Sequence, residues 1–148
     1  MTQHHAERTL PYSRRQMFDL VADVERYPDF VPWWIAARVT GKRHLVYHTE
    51  QIMGMGPVRL RFQSDTTLHP PDRISVVSRG DAVKDMNLVW RFDDHPEGCH
   101  VTLDMTLILG ARKLESLLTG LTEEAATKLV DAFEKRAHAL YGAATATG

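Results

Sequence analysis

Three stretches of two-residue alternation, followed by a long stripe at helical spacing, constrain this chain more than any other feature. In Val58-Arg59-Leu60-Arg61-Phe62-Gln63 the apolar side chains take the even positions and the polar ones the odd. Met86, Leu88, Trp90 and Phe92 repeat the pattern, opposed mostly by Asp85, Asn87 and Arg91, and Val101, Leu103, Met105 and Leu107 repeat it against Thr102, Asp104 and Thr106. Such runs read as strands with one dry and one wet face. Turn formers separate them at Gly41-Lys42, Gly54 to Pro57, Pro70-Pro71-Asp72, Gly80-Asp81 and Asp93 to Gly98. Strand follows strand with no crossover helix, which predicts an antiparallel sheet of about six or seven strands.

Before the sheet, Arg8 to Tyr12 reads as a first strand, His4 and His5 as a mobile terminal pair, and Ser13 as the cap of a helix that begins near Arg14. Met17, Phe18, Leu20, Val21 and Val24 lie on one side of that helix. Pro28 and Pro32 cut Tyr27 to Trp34 into a second short helix and a turn. After the sheet, Leu114, Leu117, Leu118, Leu121, Ala125, Leu129, Phe133 and Leu140 share one stripe, with Glu123, Glu124, Lys128, Asp131, Glu134 and Lys135 mainly off it. A long amphipathic C-terminal helix is expected, with a kink or boundary at Gly120 and a stop at Gly142.

The fold class is therefore α+β: a curved antiparallel sheet around a long C-terminal helix, with two short helices after the first strand. A strongly curved sheet cannot press its whole inner face against one helix, so a cavity is expected between them. The 148 residues suit one domain spanning 1–148, with a core over about 8–142.

Charge narrows the partners. Lysine plus arginine (18) almost balances aspartate plus glutamate (19), for a net charge of -1, so no long-range pull toward DNA or a polyanionic surface is expected. The single cysteine, Cys99, excludes an internal disulfide framework and a cysteine-rich zinc site. The first ten residues lack the apolar region of a secretory signal, and no window reaches about 18 unbroken apolar residues. The expected location is the cytoplasm, or the inner face of the membrane as a peripheral protein.

Catalytic and metal motifs are absent. His44, His48, His69, His95 and His100 are scattered, none in a His-Glu-x-x-His spacing, and there is no Gly-x-Ser-x-Gly elbow, phosphate loop or dinucleotide fingerprint. No metal, no catalytic cofactor and no enzymatic activity are expected.

Tyr12-Ser13, Met17-Phe18, Leu20-Val21 and the run from Asp23 through Tyr27-Pro28-Asp29-Phe30-Val31-Pro32-Trp33 resemble the opening motif of the coenzyme Q-binding proteins of the START-like, polyketide cyclase/dehydrase superfamily. Lys84 with Trp90-Arg91-Phe92 resembles the central tryptophan strand of that family, and Val130 to Ala137 with Leu140-Tyr141-Gly142 resembles its closing helix. The resemblance runs from about Leu10 to Gly142 in order and implies the helix-grip fold. Two departures would reshape the pocket: Trp34 stands where a cysteine commonly follows the first tryptophan, and Gly80-Asp81-Ala82-Val83 replaces a Gly-Pro-Phe-like turn.

The resemblance implies a non-catalytic carrier of ubiquinone or a related prenylquinone that serves respiration. The implied ligand-binding set is Phe30, Trp33, Trp34, Phe62, Met86, Leu88, Trp90, Leu103, Met105, Leu107, Leu118, Leu121, Ala125 and Leu129. Phe62, Met86, Leu88, Trp90, Leu103, Met105 and Leu107 also read as plain core, and Tyr27 and Phe30 read better as staples between the short helices and the sheet. Of the adjacent Trp33 and Trp34, one is expected at the cavity mouth or against a membrane or partner. Asp23 and Arg26 are expected to pair or cap the helix junction, and Arg136 to meet a nearby acid in preference to a quinone carbonyl. Met53-Gly54-Met55-Gly56-Pro57 reads as a hairpin in preference to a lid or a membrane-touching tip.

The same resemblance extends to the ribosome-association toxins of bacterial toxin-antitoxin systems, which implies the large ribosomal subunit as an alternative partner. A cationic face for it is expected from Arg59 and Arg61 with Lys42, Arg43, Arg73 and Arg79. Transient contact with a membrane surface is a further expectation for a lipid carrier. A polyketide aromatase/cyclase is the least favoured reading, because the inward faces of the three clear strands lack acid/base groups.

Overall fold

The computed structural model describes residues 2–55, 58–78, 83–109 and 125–142. Its strands are β1 (Thr2–Leu10), β2 (Trp34–Arg43), β3 (Val46–Met55), β4 (Val58–His69), β5 (Arg73–Ser78), β6 (Val83–His95) and β7 (Gly98–Leu109). Helix α1 (Arg14–Ala22) and a 3-10 helix (Val24–Asp29) join β1 to β2, and helix α2 (Ala125–Tyr141) follows the sheet. The seven strands form one open antiparallel sheet in the order β1-β7-β6-β5-β4-β3-β2. Strands β2 to β7 are a meander, and β1 pairs with the outer side of β7, so the short helices carry the chain from one sheet edge to the other.

Local chemistry sets the element ends. The Ser13 hydroxyl accepts from the Gln16 amide at 3.1 Å while the Gln16 side chain accepts from the Ser13 amide at 2.9 Å, a reciprocal cap that starts α1 as expected. At the other end of the chain Gly142, at φ 77°, donates to the His138 carbonyl at 2.9 Å and stops α2. Gly98 opens β7 at φ 144°, where a Cβ would stand 2.2 Å from the Leu10 carbonyl oxygen, so the β6–β7 turn and the end of β1 fit together only around glycine.

Several boundaries differ from the expectation. Strand β1 covers Thr2–Leu10 instead of Arg8 to Tyr12, in register from Thr2↔Leu107 to Leu10↔Cys99, so His4 and His5 are strand residues and not a mobile pair. Among its described side chains only Ala6 and Leu10 are buried, which leaves its alternation too sparse to see in the sequence. Gly41 and Lys42 lie inside β2, and the chain reverses at His44, which takes φ 55°. Gly54 lies inside β3, and Asp93 to His95 extend β6, which narrows that turn to Pro96 and Glu97. The turn at Gly80-Asp81 and the helical stripe from Leu114 to Leu121, with Gly120, lie outside the described residues.

The core lies between the inner sheet face and the helices. Helix α2 buries Ala126, Leu129, Val130, Ala132, Phe133 and Ala137, and α1 buries Met17, Phe18, Leu20 and Val21. Arg8 clamps β1 to α2 by donating to both Asp131 and Glu134, the latter at 2.7 Å. Tyr141 of α2 donates to the Gln16 carbonyl at 3.2 Å, and Tyr12 donates to the Gly142 carbonyl at 3.1 Å, so the last turn of α2 is held to the start of α1.

Candidate functional site

A continuous aromatic wall occupies the space between sheet and α2. Phe133, projecting from α2, meets Phe30 and Trp90 edge-on at 5.1 Å each and Tyr27 at 5.3 Å between ring centroids. Tyr27 in turn meets Trp34 at 5.8 Å, and Trp34 meets Phe62 at 6.3 Å. Edge-to-face pairs of this kind add stabilisation beyond the area they bury. The Tyr27 hydroxyl donates to the Val21 carbonyl, which hooks the 3-10 helix onto α1. Burial, reinforced by Asp23, pushes the Tyr27 phenol above its ordinary range, so it stays protonated at physiological pH.

Beside this wall is an interior cavity of about 30 Å³. Trp34, Gln51, Thr66, Val76, Met86, Leu88 and Trp90 line it from the sheet, Val24 and Tyr27 from the 3-10 helix, and Leu129 and Phe133 from α2. A space of that size holds about one water, far below the roughly 300 to 1,000 Å³ of a typical small-molecule pocket. Among the described residues, the rings of Trp34, Trp90 and Phe133 converge on this space and leave it small.

One side of the cavity is polar. The Trp34 indole nitrogen donates to Gln51 Oε1 at 2.7 Å, and Gln51 Nε2 donates to Thr49 Oγ1 at 2.8 Å and Ser64 Oγ at 2.9 Å. Thr49 and Ser64 are themselves hydrogen-bonded across β3 and β4. An indole N–H can only donate, so it fixes the orientation of the Gln51 amide, and the amide then satisfies both hydroxyls. The Thr66 hydroxyl, one inward position beyond Ser64, is buried and has no partner. Reading the alternation on past Gln63 would have revealed this cluster, since Leu60, Phe62, Ser64, Thr66 and Leu68 are all buried on one face of β4.

Among the residues expected to bind ligand, Trp34, Met86, Leu88, Trp90 and Leu129 converge on the cavity. Phe62, Leu103 and Met105 are buried in the core without lining it. Phe30 faces an outer groove. Trp33 adopts φ 70°, and this left-handed turn lets Trp34 point inward while the Lys128 ammonium lies 6.0 Å from the Trp33 ring. Leu118 and Leu121 lie outside the described residues, as do the side chains of Leu107 and Ala125. Val24, Tyr27, Gln51, Thr66, Val76 and Phe133 complete the lining and were absent from the expected set.

The outer groove, about 360 Å³, runs along α2. Phe30, Pro32, Ala132 and Ala139 form its apolar floor, and Lys128, Lys135 and Arg136 surround it with Asp131. The Arg136 guanidinium lies over the Phe30 ring at 5.2 Å, and no acid among the described residues pairs with it, contrary to the salt bridge expected. Arg26 pairs with Asp29 at 3.7 Å and not with Asp23, which makes no side-chain cap. The expected cationic face also divides: the register puts Arg59 and Arg61 opposite Gly54 and Ile52, while Arg43 and Arg73 lie near Val46 and His69, roughly 20 Å along the strands. Arg79 lies outside the described residues.

Among the described residues no helix is long and apolar enough to cross a membrane, and no three histidine, cysteine or acidic side chains cluster in a way that could hold a metal ion.

The sequence is 35% identical over 141 residues to the "Ribosome association toxin RatA" of Pseudomonas aeruginosa, covering 93% of this chain and 98% of that protein. It is 31% identical to "Coenzyme Q-binding protein COQ10 homolog B, mitochondrial" of Xenopus laevis, covering 95% of this chain and 59% of that longer protein. Among solved structures, TTHA0849 from Thermus thermophilus superimposes with a TM-score of 0.82 at 19% identity, over 94% of this chain and 99% of that one, a likeness of fold alone. Residues 10–134 match the family described as polyketide cyclase / dehydrase and lipid transport, and the chain belongs to that family.

Proposed function

We propose that this chain is a non-catalytic binding protein that holds the ring and first tail units of a prenylquinone between its sheet and α2. The observation that carries the reading is the interior cavity, whose lining is aromatic and aliphatic except for Gln51, Thr66 and the Tyr27 hydroxyl. The only titratable side chain on the described lining is Tyr27, and its hydroxyl is already bonded to the Val21 carbonyl. That supports binding over acid–base chemistry. The resemblance to a protein named for binding coenzyme Q supports the ligand class.

The energetics fit a partial uptake. At about 0.8 kcal/mol per buried methylene, one five-carbon isoprene unit contributes up to about 4 kcal/mol, so a ring and one or two units give useful affinity. The ring does not fit a space of about 30 Å³, so uptake requires Phe133 and Leu129 of α2 to move away from Trp34 and Trp90. The test is native mass spectrometry and organic extraction of protein purified from a quinone-producing host. Near-stoichiometric prenylquinone is expected, and an empty protein that also refuses added ubiquinone would count against the reading.

A second reading, association with the large ribosomal subunit, is favoured by the 35% identity to a ribosome association toxin and by the groove bearing Lys128, Lys135 and Arg136. Cosedimentation with 50S subunits that weakens steeply with salt would support it.

A further inference from the structure

The cavity has one feature that a container for hydrocarbon does not need. Thr66 is 1% exposed, lines the cavity, and its Oγ1 has no hydrogen-bond partner. The polar groups beside it bond to one another and not to it: Gln51 Oε1 accepts from Trp34, Gln51 Nε2 donates to Thr49 and Ser64, and those two hydroxyls pair with each other. A buried hydroxyl with neither its proton nor its lone pairs used carries a desolvation cost. Valine has almost the same shape, and Val76, directly opposite Thr66 on β5, shows that the position tolerates a purely apolar neighbour.

We infer that Thr66 is the point that recognises an oxygen atom of the ligand ring, its hydroxyl donating to a carbonyl or ether oxygen. The inference rests on the reading of the interior as a ligand site and assigns the ligand an end-to-end orientation. The oxygenated ring lies against β3–β5, with its edge at Thr66 and its face toward Trp34 or Trp90, and the tail runs toward α2 at Leu129. The network behind it makes Thr66 selective: because Trp34, Gln51, Thr49 and Ser64 satisfy one another, Thr66 is the one uncommitted hydroxyl on the described cavity lining. A ligand of the same shape with no acceptor oxygen gains nothing from it.

The test compares the full chain with Thr66→Val and Thr66→Ser, using native mass spectrometry to read the affinity of decyl-ubiquinone and of decylbenzene. Thr66→Val should fold with an unchanged or higher denaturation midpoint, since no internal hydrogen bond is removed. It should bind decyl-ubiquinone about three- to tenfold more weakly, the worth of one neutral hydrogen bond, and bind decylbenzene as the wild type does. Thr66→Ser, which keeps the hydroxyl, should hold decyl-ubiquinone within about twofold of wild type. Equal binding of decyl-ubiquinone by wild type and Thr66→Val would overturn the inference and leave Thr66 the partner of a water only, with the carrier reading intact. A wild type that binds neither compound would overturn the carrier reading and the inference together.

Discussion

The indole N–H of Trp34 on β2 donates to the side-chain carbonyl of Gln51 on β3 at 2.7 Å, inside a core that is otherwise mostly apolar. This bond orients the amide, and the amide in turn satisfies Thr49 and Ser64. Replacing Gln51 with leucine strands the indole N–H of the half-buried Trp34 and removes the donor shared by two buried hydroxyls. The expected cost is about 1 to 3 kcal/mol, read as a lowered urea midpoint with an unchanged slope. The accompanying Trp34→Phe change should recover part of that loss, because it removes the stranded donor.

Phe133 is the ring on which the aromatic wall turns, touching Phe30, Tyr27 and Trp90 within 5.3 Å. Phe133→Ala should destabilise the fold by about 3 to 5 kcal/mol. Because it also opens the cavity, the surviving folded protein should take up small apolar probes faster than wild type, which stopped-flow tryptophan fluorescence can follow, since Trp34 and Trp90 both line the cavity.

Gly98→Ala drives a Cβ to 2.2 Å from the Leu10 carbonyl oxygen at a backbone angle that alanine avoids. The clash sets the start of β7 against the end of β1, so the expected loss is about 1 to 3 kcal/mol or more, measured by thermal denaturation. An alanine variant as stable as wild type would show that the β6–β7 turn is not held as described.

Cys99 is buried, and burial first, then Asp94 and Asp93, pushes its thiol up to about 11. At neutral pH the thiolate is therefore scarce as well as shielded. Reaction with a disulfide reagent should be slow in the native protein and fast in denaturant. Rapid native labelling would contradict the placement of Cys99 opposite Leu10.

On the outer sheet face, His5 bonds to Asp104 at 2.6 Å and to Glu7 at 2.9 Å. Hydrogen bonding to Asp104, then to Glu7, raises the His5 pKa from its ordinary 6.5. A raised folded-state value means the pairing contributes fully below pH 6.5 and fades as pH climbs through the folded value. The imidazole signals of His5 should titrate above 6.5 in NMR, and Asp104→Asn should bring the midpoint down.

The legible part of this molecule was the part with strong periodicity. The alternation in β4, β6 and β7, the cap at Ser13 and the stop at Gly142 each follow from side-chain chemistry within a few residues. Strand β1 departs from its expected bounds because, among its described side chains, the inward side buries only Ala6 and Leu10, too few for a pattern, and its pairing depends on β7 about a hundred residues away. The cavity lining was legible only in part. Trp90 and Leu129 announce themselves as apolar residues on an inward face, and Thr66 continues the inward face of β4 only by register, whereas Gln51 looks like a solvent-facing position until its neighbours are known. A filled core and an open pocket also share one hydrophobic pattern, so nothing in the alternation distinguishes a cavity of about 30 Å³ from a larger one.

The most direct test of the interior binding site is an NMR titration of methyl-labelled methionines with decyl-ubiquinone. Met86 lines the cavity, and Met17, on the buried face of α1, does not. An interior binding site predicts that the Met86 methyl shifts and saturates with ligand while Met17 stays in place. A Met86 signal unmoved at saturating quinone, or one that moves no more than Met17, would contradict it.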